Sequence, residues 1–326
     1  MITRRAFING VGAITLASPL ATEAQQVGKV YRIGILSFAW SPWHSNTEGF
    51  RDALKELGYG EGKNVAFEPR AAQGDLGRLP ELAAELARQK PDLLYCSDAG
   101  AMACQKATAR IPIVFTLVSD PVRLGLVKSL AGPGGNITGV GSLRAELTAK
   151  RMELFKEVVP TLRRVLVTYD SREPEEQQSV VVARTAATIL GVTLVERSIR
   201  APLEIEPGLA ELKEGDQDGI LIVQAGTNLN IPGRSLEVAT SNRIPTMYPD
   251  SFWTKFGALA SYGPDPYLQG RQAARLAHKI LTGTPPSQIP VELPDRIEFI
   301  VNLKTAKRLG LEVPRPTLLR ADRVIE

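Results

Sequence analysis

The sequence predicts an α/β protein with two doubly wound parallel-sheet lobes, and three observations lead to this prediction. Short apolar runs rich in β-formers alternate with longer amphipathic segments over nearly the whole chain, which is the pattern of parallel βαβ units. A chain of 326 residues is too long for one ordinary core and suits two compact domains. The tripeptide Arg-Ile-Pro also precedes two of the predicted strands.

The elements are predicted in chain order from their period, since apolar residues recur every three or four positions in helices and run together in short buried strands. Gly58–Lys63 has no strand before it and is therefore interpreted as a helix C-terminal turn, not a phosphate-binding loop. The predicted strands are Tyr31–Ser37, Asn64–Glu68, Asp92–Cys96, Ile113–Val118, Arg164–Tyr169, Thr193–Glu196, Gly219–Val223 and Thr246–Tyr248. The predicted helices are Glu48–Leu57, Leu79–Gln89, Ala99–Ala109, Ala145–Val158, Glu175–Leu190 and Leu236–Ser241.

The repeated tripeptide has the same spacing in both halves of the chain. Arg110 lies 73 residues after the strand end Ser37, and Arg243 lies 74 residues after the strand end Tyr169. A chance match of three residues is the alternative. The shared position within the βα series favours two lobes of like topology.

Residues 1–24 have the pattern of an export signal. Arg4-Arg5 stands before the apolar run Gly10–Leu20, which is shorter than the roughly 20 residues that span a bilayer, and Ala24 offers a signal-peptidase site. The paired arginines resemble a twin-arginine (Tat) signal, and an ordinary secretory signal is the alternative. We expect an exported, soluble mature chain that begins near Gln25.

Composition argues against several classes of protein. The formal net charge of +4 includes no long basic run, so nucleic-acid binding is not indicated. Cys96, Cys104, His44 and His278 show no zinc-site spacing, and we expect neither a metal nor a cofactor. A disulfide is the less favoured alternative for the two cysteines, because one is predicted at a strand end and the other inside the next helix.

Candidate ligand contacts follow from the rule that open parallel sheets bind ligands beyond the carboxyl ends of their strands. Hydroxyls and helix N-terminal amides suit a carboxylate, acidic side chains suit an ammonium group, and aromatic rings stack on a flat ligand. For each acidic residue singly, a helix cap or turn is the alternative role. The candidates are Ser37, Phe38, Trp40, Ser97, Asp98, Thr116, Ser119, Asp120, Tyr169, Gln224, Asn228, Tyr248, Asp250 and Phe252.

Catalysis has less support than binding. A serine nucleophile needs a nearby base, and His44 and His278 are the only imidazoles. His44 lies in the first βα loop and is able to reach a ligand, whereas His278 falls on an amphipathic helix. Asp98 and Asp120 would serve as an acid-base pair only if the fold brought them together. We therefore expect no catalytic residues.

Several ordered motifs resemble the ABC-transporter substrate-binding proteins of the family that includes tryptophan- and tyrosine-binding members. The matching segments are Phe50–Tyr59, Ile113–Val122, Gly125–Val140, Ser261–Asp265 and Asn302–Lys307. Together they extend over essentially the whole mature chain. Their order and spacing make the resemblance far more specific than any single motif.

The resemblance implies a monomeric periplasmic binding protein of type I, whose two lobes close on a small solute and deliver it to a membrane permease. Three crossover segments would join the lobes, near Val140–Ser142, Ala260–Tyr262 and Pro290–Leu293. Lobe one would comprise residues 25–141 and 262–290, including a helix over Pro266–Leu281, and lobe two residues 142–261 and 291–326.

The implied ligand is a small carboxylate, with aromatic amino acids favoured. This chain has the bulky segment Phe38–Trp43 where relatives often carry small residues. Its rings would cover either the core or a ligand. At a ligand they would either stack on an aromatic amino acid or fill the pocket so that only a smaller carboxylate fits. Two other classes stay open: a sensory binding protein that presents its ligand to a membrane receptor, and an exported hydrolase or lyase.

Overall fold

The strands of the protein form two separate sheets. A computed structural model describes residues 29–39, 41–199, 218–223 and 234–326, and the predicted signal at 1–24 lies outside these ranges. The smaller sheet has the order β2-β1-β3-β4-β5, with every pair parallel. Its strands are β1 (Tyr31–Ser37), β2 (Val65–Ala71), β3 (Leu93–Ser97), β4 (Ile113–Val118) and β5 (Ile137–Gly141).

The larger sheet repeats the topology of the smaller one and then extends it. Its order is β12-β11-β10-β9-β8-β6-β7, so strands six to ten occupy the positions of strands one to five. The Arg-Ile-Pro repeat therefore marks equivalent strands, β4 and β9, as predicted. The strands are β6 (Arg164–Tyr169), β7 (Thr193–Ser198), β8 (Asp218–Leu221), β9 (Thr246–Tyr248), β10 (Ala260–Pro264), β11 (Ile297–Asn302) and β12 (Arg323–Ile325).

The sequence did not predict the strands β5, β10, β11 and β12. The β10–β11 pair is antiparallel, because β11 returns from a helix that belongs to the other lobe. The fold class itself, two doubly wound α/β lobes, is confirmed.

Helices cover both faces of each sheet. Phe50 and Leu276 pack on one face of the smaller sheet, and Leu86 packs on the other. Phe155 and Leu236 lie on opposite faces of the larger sheet. The helices are α1 (Ser45–Glu56), α2 (Leu79–Arg88), α3 (Gly100–Ala107), α4 (Thr148–Val158), α5 (Pro174–Leu190), α6 (Arg234–Ser241), α7 (Pro266–Leu281), α8 (Leu303–Leu309) and α9 (Arg315–Arg320), with 3₁₀ turns at Leu76–Arg78, Ser251–Phe256 and Pro286–Gln288.

The chain passes between the lobes after β5, after β10 and after α7. The second crossing was predicted at Ala260–Tyr262, but all residues of this range are paired with β11, and Ala260 and Ser261 are also paired with β9. The chain therefore leaves the larger sheet only after Pro264. Glu292 still bonds to the smaller sheet, where its carbonyl accepts from the Gly141 N–H at 2.9 Å. The third crossing therefore begins after this residue.

Helix α4 begins at Thr148 instead of the predicted Ala145, because the backbone turns first at Leu143, whose φ is 56°.

The prediction that the two cysteines are unpaired is wrong. Cys96 and Cys104 are joined by a disulfide between β3 and α3, with their Cα atoms 7.1 Å apart, since the helix folds back directly over the strand that precedes it. Among the described residues no helix is both long and apolar enough to cross a bilayer.

Candidate functional site

A cavity of about 360 Å³ lies between the two lobes, beyond the carboxyl ends of β1, β3, β4 and β9. This is where the topology of open parallel sheets places a ligand. Both lobes contribute to its wall, and so does the start of α7. The lining residues are Ala39, Ser41, Trp43, His44, Ser45, Glu48, Asp98, Leu117, Arg144, Asp250, Phe252, Trp253 and Pro266.

The N-terminus of α1 forms one side of the cavity. His44 is the N-cap, in extended conformation, and its side chain makes no capping bond. Its carbonyl accepts the Glu48 N–H at 2.9 Å. The N–H groups of the first turn have no intrahelical acceptor, and together with the helix dipole they favour an anion.

The imidazole of His44 is held by Ser37. His44 Nε2 lies 2.8 Å from the Ser37 hydroxyl, which also accepts the Ala39 N–H at 3.1 Å. Burial lowers the pKa of His44 to about 4, so the ring is neutral at physiological pH. A serine-histidine pair in a cleft is a feature of hydrolases, but Ser37 is only 1% exposed and is not part of the cavity wall. The Ser37 hydroxyl therefore orients the imidazole of His44 and is not placed to attack a ligand in this cavity.

Arg144 brings a permanent positive charge to the cavity. It is 4% exposed, and it donates to Asp98 Oδ1 at 2.8 Å and to the Leu117 carbonyl at 3.4 Å. Arg144 is not among the residues predicted from the sequence, although its position just after the crossover from β5 places it where the lobes meet. Asp98 was predicted, and its N–H donates to the Thr116 carbonyl at 3.1 Å.

A second guanidinium lies behind the first. Arg151 is completely buried and donates through Nη2 to the main-chain oxygen of Arg144. Its Nε and Nη1 have no partner among the described residues. Burial, and then the charge of Arg144, lowers the pKa of Arg151 to about 9. Two guanidinium groups therefore lie at this end of the cleft, and the one in the cavity wall, Arg144, is paired with Asp98.

The backbone around the cavity is strained in three places. Asp98, Leu117 and Leu143 have φ values of 49°, 64° and 56°, in the left-handed region that residues other than glycine rarely adopt. The register between β4 and β5 shifts at Leu117, and this residue lines the cavity. Such strain is concentrated at sites where geometry serves function.

Asp250 and an aromatic cluster form the side from lobe two. Asp250 is 4% exposed and accepts the Phe252 N–H at 3.1 Å. Burial raises its pKa to about 6. Phe252 meets Trp253 edge to face at 5.3 Å, and Tyr248 stacks on Trp253 at 5.4 Å. Of the predicted residues, Asp98, Asp250 and Phe252 thus line the cavity, and Tyr248 supports its wall from behind.

Four other predicted residues do not face the cavity. Phe38 is 4% exposed in the core between β1 and α3, so this ring of the aromatic segment covers the core. Ser97 is 2% exposed. Thr116 Oγ1 accepts from Asn46 at 2.8 Å. Tyr169 packs against the core of lobe two. None of these four side chains lines the cavity.

Asp120 caps a turn instead of facing the cavity. Its Oδ1 accepts the Arg123 N–H at 2.9 Å, and its side chain is 42% exposed beside Arg123. Asp98 and Asp120, the predicted carboxylate pair, are therefore not combined in the cavity wall. The predicted residues Trp40, Gln224 and Asn228 lie outside the described residues.

Ser119 joins the two lobes. Its N–H donates to Glu175 Oε1 on α5 at 2.8 Å, and its hydroxyl lies 2.9 Å from that of Ser142. Burial, as the largest cause, raises the pKa of Glu175 to about 7, and it does the same for Glu173. Together with the bridge between Asp98 and Arg144, these contacts hold the lobes against each other.

Two doubly wound lobes, three crossings and a polar cleft with an aromatic wall are the features of a type I periplasmic binding protein. The sequence profile described as ABC transporter substrate binding protein matches residues 34–325. The chain belongs to this family, whose members bind solutes for ABC transporters.

Individual relatives agree with this assignment. The chain is 32% identical over 266 residues to a tyrosine-binding protein of Clostridioides difficile (strain R20291), covering 81% of this chain and 76% of the relative. A conserved domain protein from Vibrio cholerae superimposes with a TM-score of 0.82 at 29% identity, over 91% of this chain and all of the other.

Two further structures show the same fold. An ABC domain from Streptococcus pneumonia, solved in complex with L-Trp, gives a TM-score of 0.79 at 24% identity over 91% of this chain and 100% of that one. A ligand-free, open substrate-binding protein with adhesive properties from Clostridium difficile gives 0.63 at 30% identity, over 91% and 99% of the two chains.

Proposed function

We propose that the protein is the periplasmic solute-binding component of an ABC importer and that it binds an α-amino acid, with an aromatic side chain favoured. The observation that carries this proposal is the composition of one cavity, in which a buried guanidinium, a buried carboxylate and aromatic rings meet. An amino acid offers the matching carboxylate, ammonium group and apolar side chain.

Each part of the ligand has a partner in the cavity. Arg144 and the N-terminus of α1 suit the carboxylate, because both present positive potential in a site removed from water. Asp250 suits the ammonium group. Trp43, Phe252 and Trp253 offer faces and edges on which an aromatic side chain packs at ring distances of about 4.5 to 7 Å. The binding of tyrosine and L-Trp by relatives supports this choice of ligand.

The lobes would close on the ligand as two bodies. We propose lobe one as 25–141 with 265–292 and lobe two as 142–264 with 293–326, which moves the second crossing to follow Pro264 and the third to follow Glu292. A higher TM-score with the L-Trp complex than with the open structure favours a closed arrangement here. The importer would require a membrane permease as partner, export through the predicted twin-arginine signal, and a monomeric chain.

Thermal shift with a matched ligand set tests the proposal. L-Trp, L-Tyr and L-Phe should raise the melting temperature of the purified protein, since ligand at about 100 times its Kd stabilises by about 2.7 kcal/mol. Tryptamine lacks the carboxylate and indole-3-propionate lacks the ammonium group, so both should give much smaller shifts. A set of amino acids that produces no shift, together with native mass spectra that show no retained solute, would contradict the proposed ligand class.

Ligand affinity is expected to be nearly level between about pH 4.5 and 6 and to fall between about pH 6 and 7. Below pH 6 the buried Asp250, whose pKa is raised to about 6, becomes neutral and no longer pairs with an ammonium group. We propose that closure raises the pKa of Glu175 from its ordinary 4.5 to about 7 by burial, so closing costs free energy once this carboxyl is ionised in the open state. This cost is absent below pH 4.5, grows as the pH rises to 7 and is complete above it, so the two effects offset each other between about pH 4.5 and 6.

Dissociation constants measured from pH 4.5 to 8.5 check this profile. The groups that face Glu175 are Glu173, Asp98, Arg144 and the Ser119 N–H. The double variant Glu173→Gln/Glu175→Gln should therefore remove the fall in affinity between pH 6 and 7 and uncover the loss below pH 6 that Asp250 causes, whereas Glu81→Gln, an exposed change on α2, should leave the wild-type profile unaltered. An affinity that is constant from pH 6 to 8.5 in the wild type would show that closure is not linked to these protons.

A further inference from the structure

Trp43 separates the ligand cavity from a second cavity on the outside of lobe one. The indole lines the ligand cavity. Two residues that contact its ring, Arg51 and Phe67, line instead a surface cavity of about 540 Å³. The ring is thus a wall with a ligand side and an outer side, and the two sides have different surroundings.

A cation lies against the outer side. The Arg51 guanidinium carbon is 4.3 Å from the centroid of the Trp43 ring and 5.5 Å from that of Phe67. Phe67 meets Trp43 nearly perpendicularly, at 85° and 6.5 Å. Arg51 Nη2 lies 2.5 Å from Glu61 Oε2, while its enclosed Nε has no hydrogen-bond acceptor among the described residues. The guanidinium is therefore held between two aromatic rings and one carboxylate.

We propose that Arg51 is a specificity-determining positioning residue that acts on the ligand through Trp43, which deepens the proposed function and rests on it. Stacking of Arg51 on Trp43 holds the indole in place in the cavity wall. A cation on one face of a ring also draws π density toward itself, so the opposite face becomes less negative. That face binds a cation more weakly and the electron-rich face of an indole or phenol ring more strongly. Arg51 therefore biases the cavity toward electron-rich aromatic side chains.

Replacing Arg51 by methionine removes the charge and keeps an apolar chain of similar length. Arg51→Met should weaken L-Trp binding about two- to tenfold, the range of a cation–π contact, and should leave L-Leu binding within about twofold. Arg51→Lys should recover part of the loss because it keeps a cation. Lys55→Met is the matched control, since it removes a cation from the same helix and surface cavity. Equal losses for L-Trp and L-Leu, or no loss for either, would overturn the proposal.

A ligand series isolates the electronic effect from packing. The wild type should bind 4-methoxyphenylalanine more tightly than pentafluorophenylalanine, and this preference should shrink in Arg51→Met. A merely structural role would leave the preference unchanged.

Tryptophan fluorescence measured without ligand tests the role of Arg51 independently of the proposed function. The chain has three tryptophans, so Trp40→Phe/Trp253→Phe leaves Trp43 as the only emitter. In that background Arg51→Met should shift the emission maximum and raise acrylamide quenching. If the wild type binds no amino acid but quenching rises, the ligand class is wrong and the positioning role stands. Unchanged quenching and emission would refute the positioning role itself.

Discussion

Arg144→Met should weaken the binding of an aromatic amino acid by about thirtyfold to a thousandfold or more. Truncating one member of a buried, hydrogen-bonded charge pair costs about 2 to 5 kcal/mol, and here the variant also removes the cation that we propose as the partner of the ligand carboxylate. The bridge to Asp98 across the cleft is lost with it. Isothermal titration calorimetry with L-Trp measures the effect.

Ligand fragments show whether the loss belongs to the carboxylate. Indole-3-propionate, which has a carboxylate and no ammonium group, should lose affinity along with L-Trp, whereas tryptamine should be nearly unaffected. Arg144→Lys should lie between wild type and Arg144→Met, because a lysine keeps the charge without the planar fork. Arg123→Met is the control, since Arg123 is exposed beside Asp120 and outside the cavity. Wild-type affinity in a folded Arg144→Met protein would show that Arg144 does not bind the ligand carboxylate.

Gly270→Ala should destabilise the protein by about 3 kcal/mol or more. Helices α1 and α7 meet at two glycines: a Cβ added to Gly270 would lie 1.8 Å from the carbonyl oxygen of Asn46, and one added to Gly49 would lie 2.0 Å from that of Tyr267. No side-chain rotation relieves a contact with backbone, so the helices must separate, at the upper end of the cost of overpacking.

Thermal and urea unfolding measure this effect. Gly135→Ala is the matched control, because a Cβ at this exposed position meets nothing within 4 Å. Affinity should fall as well in Gly270→Ala, since α1 begins at His44 and Ser45 in the cavity wall and moves with its crossing point. A melting temperature within about 1 °C of wild type would mean that the two helices do not pack as closely as described.

Local patterns in the sequence predicted four of the five strands of the smaller sheet and four of the seven strands of the larger one. The strands Tyr31–Ser37, Ile113–Val118, Arg164–Tyr169 and Thr246–Tyr248 have the predicted bounds, because each is a largely buried apolar run. Strands β5, β10, β11 and β12 were not predicted. The pairing of β10 with β11 depends on a chain that leaves for the other lobe and returns, and no local period records such a path.

The candidate site was predicted from the ends of strands, and this rule found some residues and missed others. Asp98 and Asp250 follow strands and line the cavity. Phe38 also follows a strand, but its side chain packs in the core. Arg144 follows a crossover and looks like an ordinary charged residue in the sequence. Only the meeting of two lobes makes it a buried cation beside Asp98.

The sequence by itself determined the α/β class, the duplicated topology and the edge of each sheet at which the cavity lies, because apolar period and strand order are properties of the chain. The tertiary structure alone decided which side chains face the cavity. The disulfide between Cys96 and Cys104, the glycine contact of α1 with α7, and the stack of Arg51 on Trp43 each join segments whose distance is set by packing. Charge and burial at the site arise in the same way, since the burial of Arg144 and Asp250 depends on segments that are far apart in the sequence.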